Sequence, residues 1–214
     1  QTLRERCGDG GIRQYIPDPV SGTARISDDT QMTLFTANGL LAGDTRMALR
    51  GIGAQPHGYV SRAYQDWLIT QRTSAPARDD HACICWLMDI PALYRCRAPG
   101  STCLSALAQQ QGQPPLESYI GRPQNHSKGC GGVMRVAPAA MLHSEDIRAI
   151  SMEGAQIAAI THSHPLGYLP AAMLTDLLNR IVYRNAEPQS LLDLVRQSQR
   201  AIAEQFFGTP ETST

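Results

Sequence analysis

Hydrophobic residues recur every three or four positions along most of the chain, and the strict alternation typical of surface strands is almost absent. The four clearest stripes are Val60, Ala63, Tyr64, Trp67 and Leu68; Ile147, Ile150, Gly154, Ile157 and Ala158; Met173, Leu174, Leu177, Leu178, Ile181 and Val182; and Leu191, Leu192, Val195 and Ile202. This spacing places apolar side chains on one face of an α-helix. The pattern therefore predicts an all-α fold.

Helix-breaking residues separate these stripes. They are Pro56, Pro99, Gly100, Pro114, Pro115, Pro123, Pro165 and Pro188. Proline and glycine interrupt helices in this way, so we expect a bundle of about seven helices of ordinary length. The sequence shows neither an internal repeat nor a linker-like segment, and we expect residues 1–214 to form a single domain.

The charge balance argues against two classes of function. The 214 residues include 19 Lys and Arg and 19 Asp and Glu, so the formal net charge is zero. A balanced chain lacks the basic surface that non-specific nucleic-acid binding requires. No apolar segment of the sequence approaches the ~20 residues needed to cross a bilayer. We therefore expect neither direct nucleic-acid binding nor membrane insertion.

Six cysteines occur along the chain without the spacing of a common metal site. Cys83 and Cys85 form a C-x-C pair rather than the C-x2-C pair of zinc ribbons, and no partner pair follows at the required distance. A chain of this length and hydrophobicity does not need disulfides as staples. We expect free cysteines that act as small buried side chains, in a reducing, cytoplasmic setting.

The segment Ser27–Thr30 contains two adjacent aspartates flanked by two hydroxyl residues, directly before an apolar run. One interpretation is a helix N-cap, because Ser, Asp and Thr cap helices and acids suit a first turn. The other is a metal site. Adjacent carboxylates repel each other unless a cation or a proton lies between them, and Ser27, Asp28 and Asp29 offer the oxygen ligands that a hard divalent cation prefers. The residues alone leave both interpretations open.

The segment Lys128–Arg135 places three glycines within four residues, before a short apolar run. Glycines let a backbone approach a ligand and turn its N–H groups toward it, and Lys128 and Arg135 could add positive charge. These features favour a diphosphate or sugar site. The alternative is a flexible surface loop. The order of Lys and glycines is that of neither a Walker loop nor a Rossmann fingerprint.

Thr161, His162 and His164 mark the end of one predicted helix, which Pro165 stops. Histidine suits a helix C-terminus, so an ordinary terminal turn is one interpretation. A hydrogen-bonding histidine in a ligand cleft is the other. Residues two apart do not share a helical face, so a metal bound by both histidines would require extended backbone.

Taken in order, these segments resemble the signatures of the ADP-ribosylglycohydrolase family. Ser27–Met32 resembles the family's Thr/Ser-Asp-Asp-Thr motif at a helix start, Gly129–Arg135 its Gly-Asn/Cys-Gly-x-x-Met-Arg loop, Thr161 and His162 its Thr-His near a helix end, and Arg97–Gly100 its Pro-Gly turn. Each motif is weak by itself, but their order and spacing match over nearly the whole chain.

The resemblance implies an all-α fold with two Mg2+ ions at the bottom of a cleft. Ser27, Asp28 and Asp29 map onto metal ligands, and the two aspartates also onto the acidic cluster at the reaction centre. The residues implied in substrate binding are Ser127, Gly129, Cys130, Gly131, Gly132, Val133, Met134 and His162. The glycine segment would wrap the diphosphate and proximal ribose, and His162 would contact the distal ribose and phosphate.

The resemblance is incomplete at both ends of the sequence. The Gly-Asp-Ala-x-Gly-type segment with which the family normally opens does not occur before Ser27. The Gly-Asp-x-Asp-Thr segment that supplies further metal ligands does not follow His162. We therefore expect a partial family domain that lacks about half of the metal ligands implied by the resemblance.

The implied function is Mg2+-dependent hydrolysis of the glycosidic bond of ADP-ribosyl groups on proteins or small molecules. ADP-ribose or an ADP-ribosylated protein is then the expected partner, and linkages through Arg, Ser or an acetyl ester all fit. Two alternatives stay open. One is a catalytically inactive, crystallin-like structural relative, and the other is a module that binds ADP-ribose or a nucleotide without cleaving it.

Overall fold

The computed structural model describes residues 5, 8, 10–53, 55–75, 83–184 and 190–207, and the regular secondary structure within these ranges is helical. The α-helices are α1 (Asp28–Arg50), α2 (Pro56–Arg72), α3 (Ser101–Gln109), α4 (Ile147–Ala159), α5 (Pro165–Asn179) and α6 (Leu191–Phe207). Short 3-10 helices span Trp86–Asp89, Pro91–Leu93, Cys130–Arg135 and Ala137–Met141, and a π-helical turn spans Arg180–Arg184. The predicted all-α fold is confirmed.

Two pairs of helices form the body of the fold, α1 with α2 and α4 with α5. Glycines allow each pair to pack closely. A Cβ atom on Gly39 would lie 2.9 Å from the Cα of Val60, and one on Gly154 would lie 2.7 Å from the Cβ of Thr175. Both glycines therefore lie where the partner helix leaves no room for a side chain.

The predicted stripe on α2 forms the centre of the core. Its five residues are at most 2% exposed, and they pack against Met32 and Phe35 of α1. The stripe on α4 is also inward-facing, since Ile150, Ile157 and Ala158 are buried. These two stripes contain large apolar residues at helical spacing, which is the signal that predicts burial most directly.

The predicted stripe on α5 is wrong in phase, and of the four residues predicted for the stripe on α6 only Ile202 is buried. Leu191 and Leu192 are 63% and 57% exposed. The buried positions of α6 are Leu194, Ser198 and Ile202, of which the stripe predicted only Ile202. The buried face of α5 consists of small and polar residues, namely Gly167, Ala171, Ala172, Thr175, Asp176 and Asn179. Small side chains let α5 approach α4, so its larger apolar residues lie toward the rim of the interface.

The cysteines within the described residues are free thiols, and Cys7 lies outside them. Cys85 and Cys103 are buried, as expected, whereas Cys83, Cys96 and Cys130 are exposed. The expectation of burial was therefore wrong for the three exposed thiols, which lie in loops or at the first residue of a 3-10 helix. No helix in the described part of the chain is long and apolar enough to cross a membrane.

Candidate functional site

The acidic segment forms the beginning of α1. Ser27 occupies the N-cap position with extended backbone, yet its side chain caps no backbone N–H. Its hydroxyl donates instead to Oδ2 of Asp29, at 2.6 Å. Asp28 and Asp29 lie in the first turn, where the helix dipole favours negative charge. The N-cap interpretation therefore accounts for where the acids lie, but Ser27 does not make the bond of a capping residue.

The two carboxylates have different environments. Asp28 is 8% exposed, and its backbone N–H donates to the carbonyl oxygen of Arg97 at 3.0 Å. Burial, and then the neighbouring charge of Asp29, raise the pKa of Asp28, while a hydrogen bond from the backbone N–H of Gly100 partly offsets this rise. Asp29 is exposed. The pair thus consists of one fixed, buried carboxyl group and one accessible carboxylate.

The Arg97–Gly100 turn holds Asp28 through backbone groups. Ala98 within it has φ 58°, in the left-handed region that residues other than glycine rarely adopt. Such a conformation costs of order 1–3 kcal/mol and persists only where its surroundings impose it. The sequence suggested this turn by resemblance only, without a role, and the structure places it against the acidic pair.

Thr33 connects the acidic pair to the glycine segment. Its Oγ1 lies 2.7 Å from the carbonyl oxygen of Asp29 and 3.2 Å from that of Met134, which is 101 residues away in sequence. The hydroxyl has one proton to donate, which the two carbonyl oxygens share, and in this way Thr33 bridges the two segments. Sequence reasoning missed this residue, because a threonine in the second turn of a helix has no distinctive signal.

The glycine segment is a 3-10 helix, Cys130–Arg135, preceded by Gly129 in an extended conformation. Its glycines are explained by close packing and not by left-handed backbone. A Cβ atom on Gly131 would lie 2.9 Å from Cε1 of His162, and one on Gly132 would lie 2.8 Å from the Cβ of Ala158. Gly129 and Cys130 are exposed, Gly131, Val133 and Met134 are half-buried, and Gly132 is buried against α4.

His162 lies directly behind this segment and is 3% exposed. Its Nε2 is 3.2 Å from the point where a Cβ atom on Gly129 would lie. Burial, followed by the positive charge of Arg135, lowers the pKa of His162 to about 4. The imidazole is therefore neutral at physiological pH. His164 diverges from it, since it caps α5 by accepting from the backbone N–H of Leu166 at 3.0 Å.

Asn125 and Ser127 make hydrogen bonds that fix the backbone leading into the glycine segment. The side chain of Asn125 donates to the carbonyl oxygen of Thr161 at 2.8 Å and accepts from the backbone N–H of Ser127 at 3.0 Å. The hydroxyl of Ser127 accepts from the backbone N–H of Gly129 at 3.4 Å. Sequence reasoning assigned no role to Asn125, although an asparagine that bonds the backbone two residues later is a known turn former.

Arg135 does not add charge to a ligand-facing surface, as the sequence had suggested. It is fully buried and points into the core. Its guanidinium carbon lies 4.5 Å from the ring centroid of Tyr64, and Nη2 donates to Oγ1 of Thr161 at 2.7 Å and to the carbonyl oxygen of Ile157 at 3.2 Å. The cation is held by a ring face and by neutral acceptors. Lys128, in contrast, is exposed beside the segment.

Comparison with known families assigns the chain to one of them. The model of the ADP-ribosylglycohydrolase family matches residues 1–212. The chain belongs to this family. A search of curated proteins gave no match. Members of the ADP-ribosylglycohydrolase family act on ADP-ribosylated substrates, so the two segments that Thr33 joins are the first place to seek a substrate site.

Ser27, Asp28 and Asp29 are the side chains of this ADP-ribosylglycohydrolase family member that could hold a cation. Their oxygens suit Mg2+, which prefers carboxylates and retains several water ligands. A cation would also offset the repulsion by which Asp29 raises the pKa of Asp28. Within the described residues, no group of three or more His, Cys, Asp and Glu side chains is placed to bind a metal. A cation at this position would thus take two carboxylates and one hydroxyl from the described residues.

Proposed function

We propose that this protein hydrolyses the glycosidic bond of ADP-ribosyl groups carried by proteins or small molecules, with Mg2+ held at the acidic pair. The observation that carries the proposal is the bridge made by Thr33, whose hydroxyl contacts the backbone carbonyl oxygens of both Asp29 and Met134. A ligand bound along the glycine segment would therefore reach the acidic pair. The free thiols of the described residues support a reducing, cytoplasmic setting.

The glycine segment would bind the diphosphate and proximal ribose. Its outer residues, Gly129 and Cys130, are exposed. Gly129 has no side chain, so a ligand can approach its backbone closely. Ser127 lies at one end of the segment, and neutral His162 lies behind it as a hydrogen-bonding group. Binding energy from this part of the substrate would orient the bond to be cleaved.

Ser27, Asp28 and Asp29 would supply part of the ligands of the two Mg2+ ions that the family resemblance implies. Bound Mg2+ lowers the pKa of a water ligand and so supplies a nucleophile near neutral pH. The protein itself contributes the fixed position of one carboxyl group and the negative charge of both. Asp28 is fixed by the Arg97–Gly100 turn, whereas the exposed carboxylate of Asp29 remains accessible to a ligand. Both carboxylates would stabilise the positive charge that develops on the ribose as the glycosidic bond breaks.

Calorimetry with ADP-ribose, in Mg2+ and in EDTA, tests the site. We expect wild-type protein to bind ADP-ribose more tightly in Mg2+, and Asp28→Asn to lose this dependence. Asp44→Asn is the matched control, because Asp44 is an exposed aspartate on the same helix. Equal affinity for wild type and Asp28→Asn in Mg2+ would reject the role of Asp28.

A hydrolysis assay separates the proposal from its alternatives. Substrates linked through Arg, through Ser and through an acetyl ester should each be incubated with wild type and Asp29→Asn, with release of ADP-ribose as the readout. Release by wild type alone supports hydrolysis at the acidic pair. Binding that is indifferent to EDTA, without release, would favour a binding module, and absence of both would favour a structural relative.

A further inference from the structure

Arg135, Thr161 and His162 form a buried chain of hydrogen bonds that ends behind the glycine segment. We propose that Arg135 and Thr161 are positioning residues, which hold His162 as the neutral tautomer with its proton on Nε2. In that form His162 presents an N–H donor to a phosphate or ribose oxygen bound at Gly129–Gly131. Only the identity of this ligand rests on the function proposed above.

The direction of the hydrogen bonds follows from Arg135. A guanidinium group has donors and no acceptor, so the 2.7 Å contact from Nη2 makes Oγ1 of Thr161 the acceptor. The Thr161 hydroxyl then has its own proton to donate. Its nearest remaining partner is Nδ1 of His162, at 2.8 Å.

The opposite tautomer, with the proton on Nδ1 of His162, would leave the Thr161 hydroxyl without a good hydrogen-bond acceptor. If Nδ1 of His162 carried a hydrogen, it would donate to Thr161, and the Thr161 hydroxyl would have to find another acceptor. The other group recorded beside it is Sγ of Cys103, at 4.0 Å. Sulfur is a weak acceptor, and 4.0 Å is a long contact for a hydroxyl donor. The geometry therefore favours Thr161 as the donor to Nδ1.

The free nitrogen of His162 lies against the glycine segment. A Cβ atom on Gly129, or on Gly131, would each be 3.2 Å from Nε2. Because neither residue has a side chain, Nε2 is not shielded by one. His162 is 3% exposed and Gly129 is exposed, so a ligand atom would reach the Nε2–H group through the space that the missing side chain of Gly129 leaves.

The charge of Arg135 makes His162 a donor and not a proton-transfer group. Within the described residues no carboxylate forms an ion pair with Arg135. In this part of the chain, the groups that contact its guanidinium are the face of Tyr64 and neutral oxygen and sulfur acceptors. A second positive charge on the adjacent imidazole is therefore disfavoured, in addition to the cost of burial.

Nitrogen-15 NMR of the histidine rings in the ligand-free protein tests the tautomer directly. We expect His162 to show a protonated Nε2 and an unprotonated Nδ1 at pH 7.5, chosen well above its pKa. Thr161→Val removes the hydroxyl at nearly constant volume and should produce a mixture of tautomers, whereas Thr161→Ser should retain the wild-type spectrum. A protonated Nδ1 in wild type, or an unchanged tautomer in Thr161→Val, would overturn the proposal.

Calorimetry with ADP-ribose provides the second readout. Thr161→Val should weaken binding about tenfold, the equivalent of one modest hydrogen bond, and Thr161→Ser should restore it. Thr175→Val is the matched control, because the buried hydroxyl of Thr175 donates to the carbonyl oxygen of Ala171 within α5. It should change neither the His162 spectrum nor the affinity.

The two readouts separate this proposal from the proposed function. If the expected tautomer is found in wild type and becomes mixed in Thr161→Val, but ADP-ribose does not bind to wild type, the assignment of ligand and function is wrong and the positioning role stands. If ADP-ribose binds equally to wild type and Thr161→Val, the positioning role is wrong, and the proposed function is decided separately by release of ADP-ribose in the hydrolysis assay. Should Thr161→Val fail to fold, the wild-type spectrum alone still decides the tautomer.

Discussion

Nδ1 of His57 lies 3.0 Å from the carboxylate of Glu153, and both side chains are buried between α2 and α4. Nε2 of the same ring lies 3.1 Å from the carbonyl oxygen of Glu117. Both ring nitrogens therefore face acceptors, which requires a proton on each. Although burial opposes protonation, the hydrogen bond to Glu153 and its charge outweigh burial and raise the pKa of His57.

This ion pair predicts a pH-dependent stability. The folded pKa of His57 is above its unfolded value of about 6.5, so the stabilisation is fully present below that pH and is lost as pH rises through the folded pKa. We expect the difference in free energy of unfolding between wild type and His57→Gln to shrink above neutral pH. Urea denaturation between pH 5.5 and about 9 measures it. As a control, His143→Gln replaces an exposed histidine and should leave the pH dependence of the free energy of unfolding as it is in wild type. A difference in free energy of unfolding between wild type and His57→Gln that stays constant with pH would contradict the prediction.

Thr33→Val should weaken the proposed site without disrupting α1. The substitution removes the hydroxyl that bridges Asp29 and Met134 while preserving the shape of the side chain. Loss of about 1 kcal/mol of hydrogen bonding would lower kcat/KM severalfold for release of ADP-ribose. Thr33→Ser keeps the bridge and should retain activity. Equal activity of all three proteins would show that the bridge does not organise the site.

Gly132→Ala should destabilise the fold, because its new Cβ would lie 2.8 Å from the Cβ of Ala158 and 3.2 Å from its Cα. Overpacking against a helix backbone costs about 1–3 kcal/mol. Thermal denaturation followed by circular dichroism measures the loss. Gly58→Ala is the control and should not lower the melting temperature. Among the described residues its Cβ would meet Pro115 at 3.7 Å, an ordinary contact distance, and alanine is favoured over glycine inside a helix. An unchanged melting temperature for Gly132→Ala would show that the segment can move away from α4.

His162 should remain neutral through the mildly acidic range. Its pKa is lowered to about 4 by burial and by Arg135, so its ring carbon and proton shifts should stay constant from pH 8 to about 5. The folded pKa is below the unfolded value, and the native state therefore loses stability relative to the unfolded state as pH falls below about 6.5. A titration midpoint near 6.5 for this ring would contradict the buried, neutral assignment.

The sequence predicted those parts of the fold in which large apolar residues cover a whole helical face. Trp67 and Tyr64 on α2 are buried as expected. On α5 the same reasoning failed, because the residues that face α4 include Ala171 and Thr175, whose small size permits close packing but gives a weak apolar signal. Large leucines then suggest the wrong face.

The candidate site was predictable only in its parts. The motif around Asp28 and that around Gly131 are visible in the sequence, but their proximity depends on packing between segments about 100 residues apart and was implied only by the family resemblance. Arg135 was misjudged for a related reason. The groups that contact its guanidinium are the ring of Tyr64 on α2, the carbonyl oxygen of Ile157 on α4 and the hydroxyl of Thr161 just beyond α4. No local sequence pattern indicates that these three groups converge on Arg135.

The tight fit of the glycine segment against α4 and His162 limits how this protein can diversify. Gly131 and Gly132 cannot acquire side chains without displacing a neighbour, so evolution must vary the segment from its outer side. Cys130 is the exposed residue of the 3-10 helix within this segment, and it already carries a side chain. A protein engineer who wishes to alter ligand preference while keeping the scaffold would therefore begin with a library at Cys130.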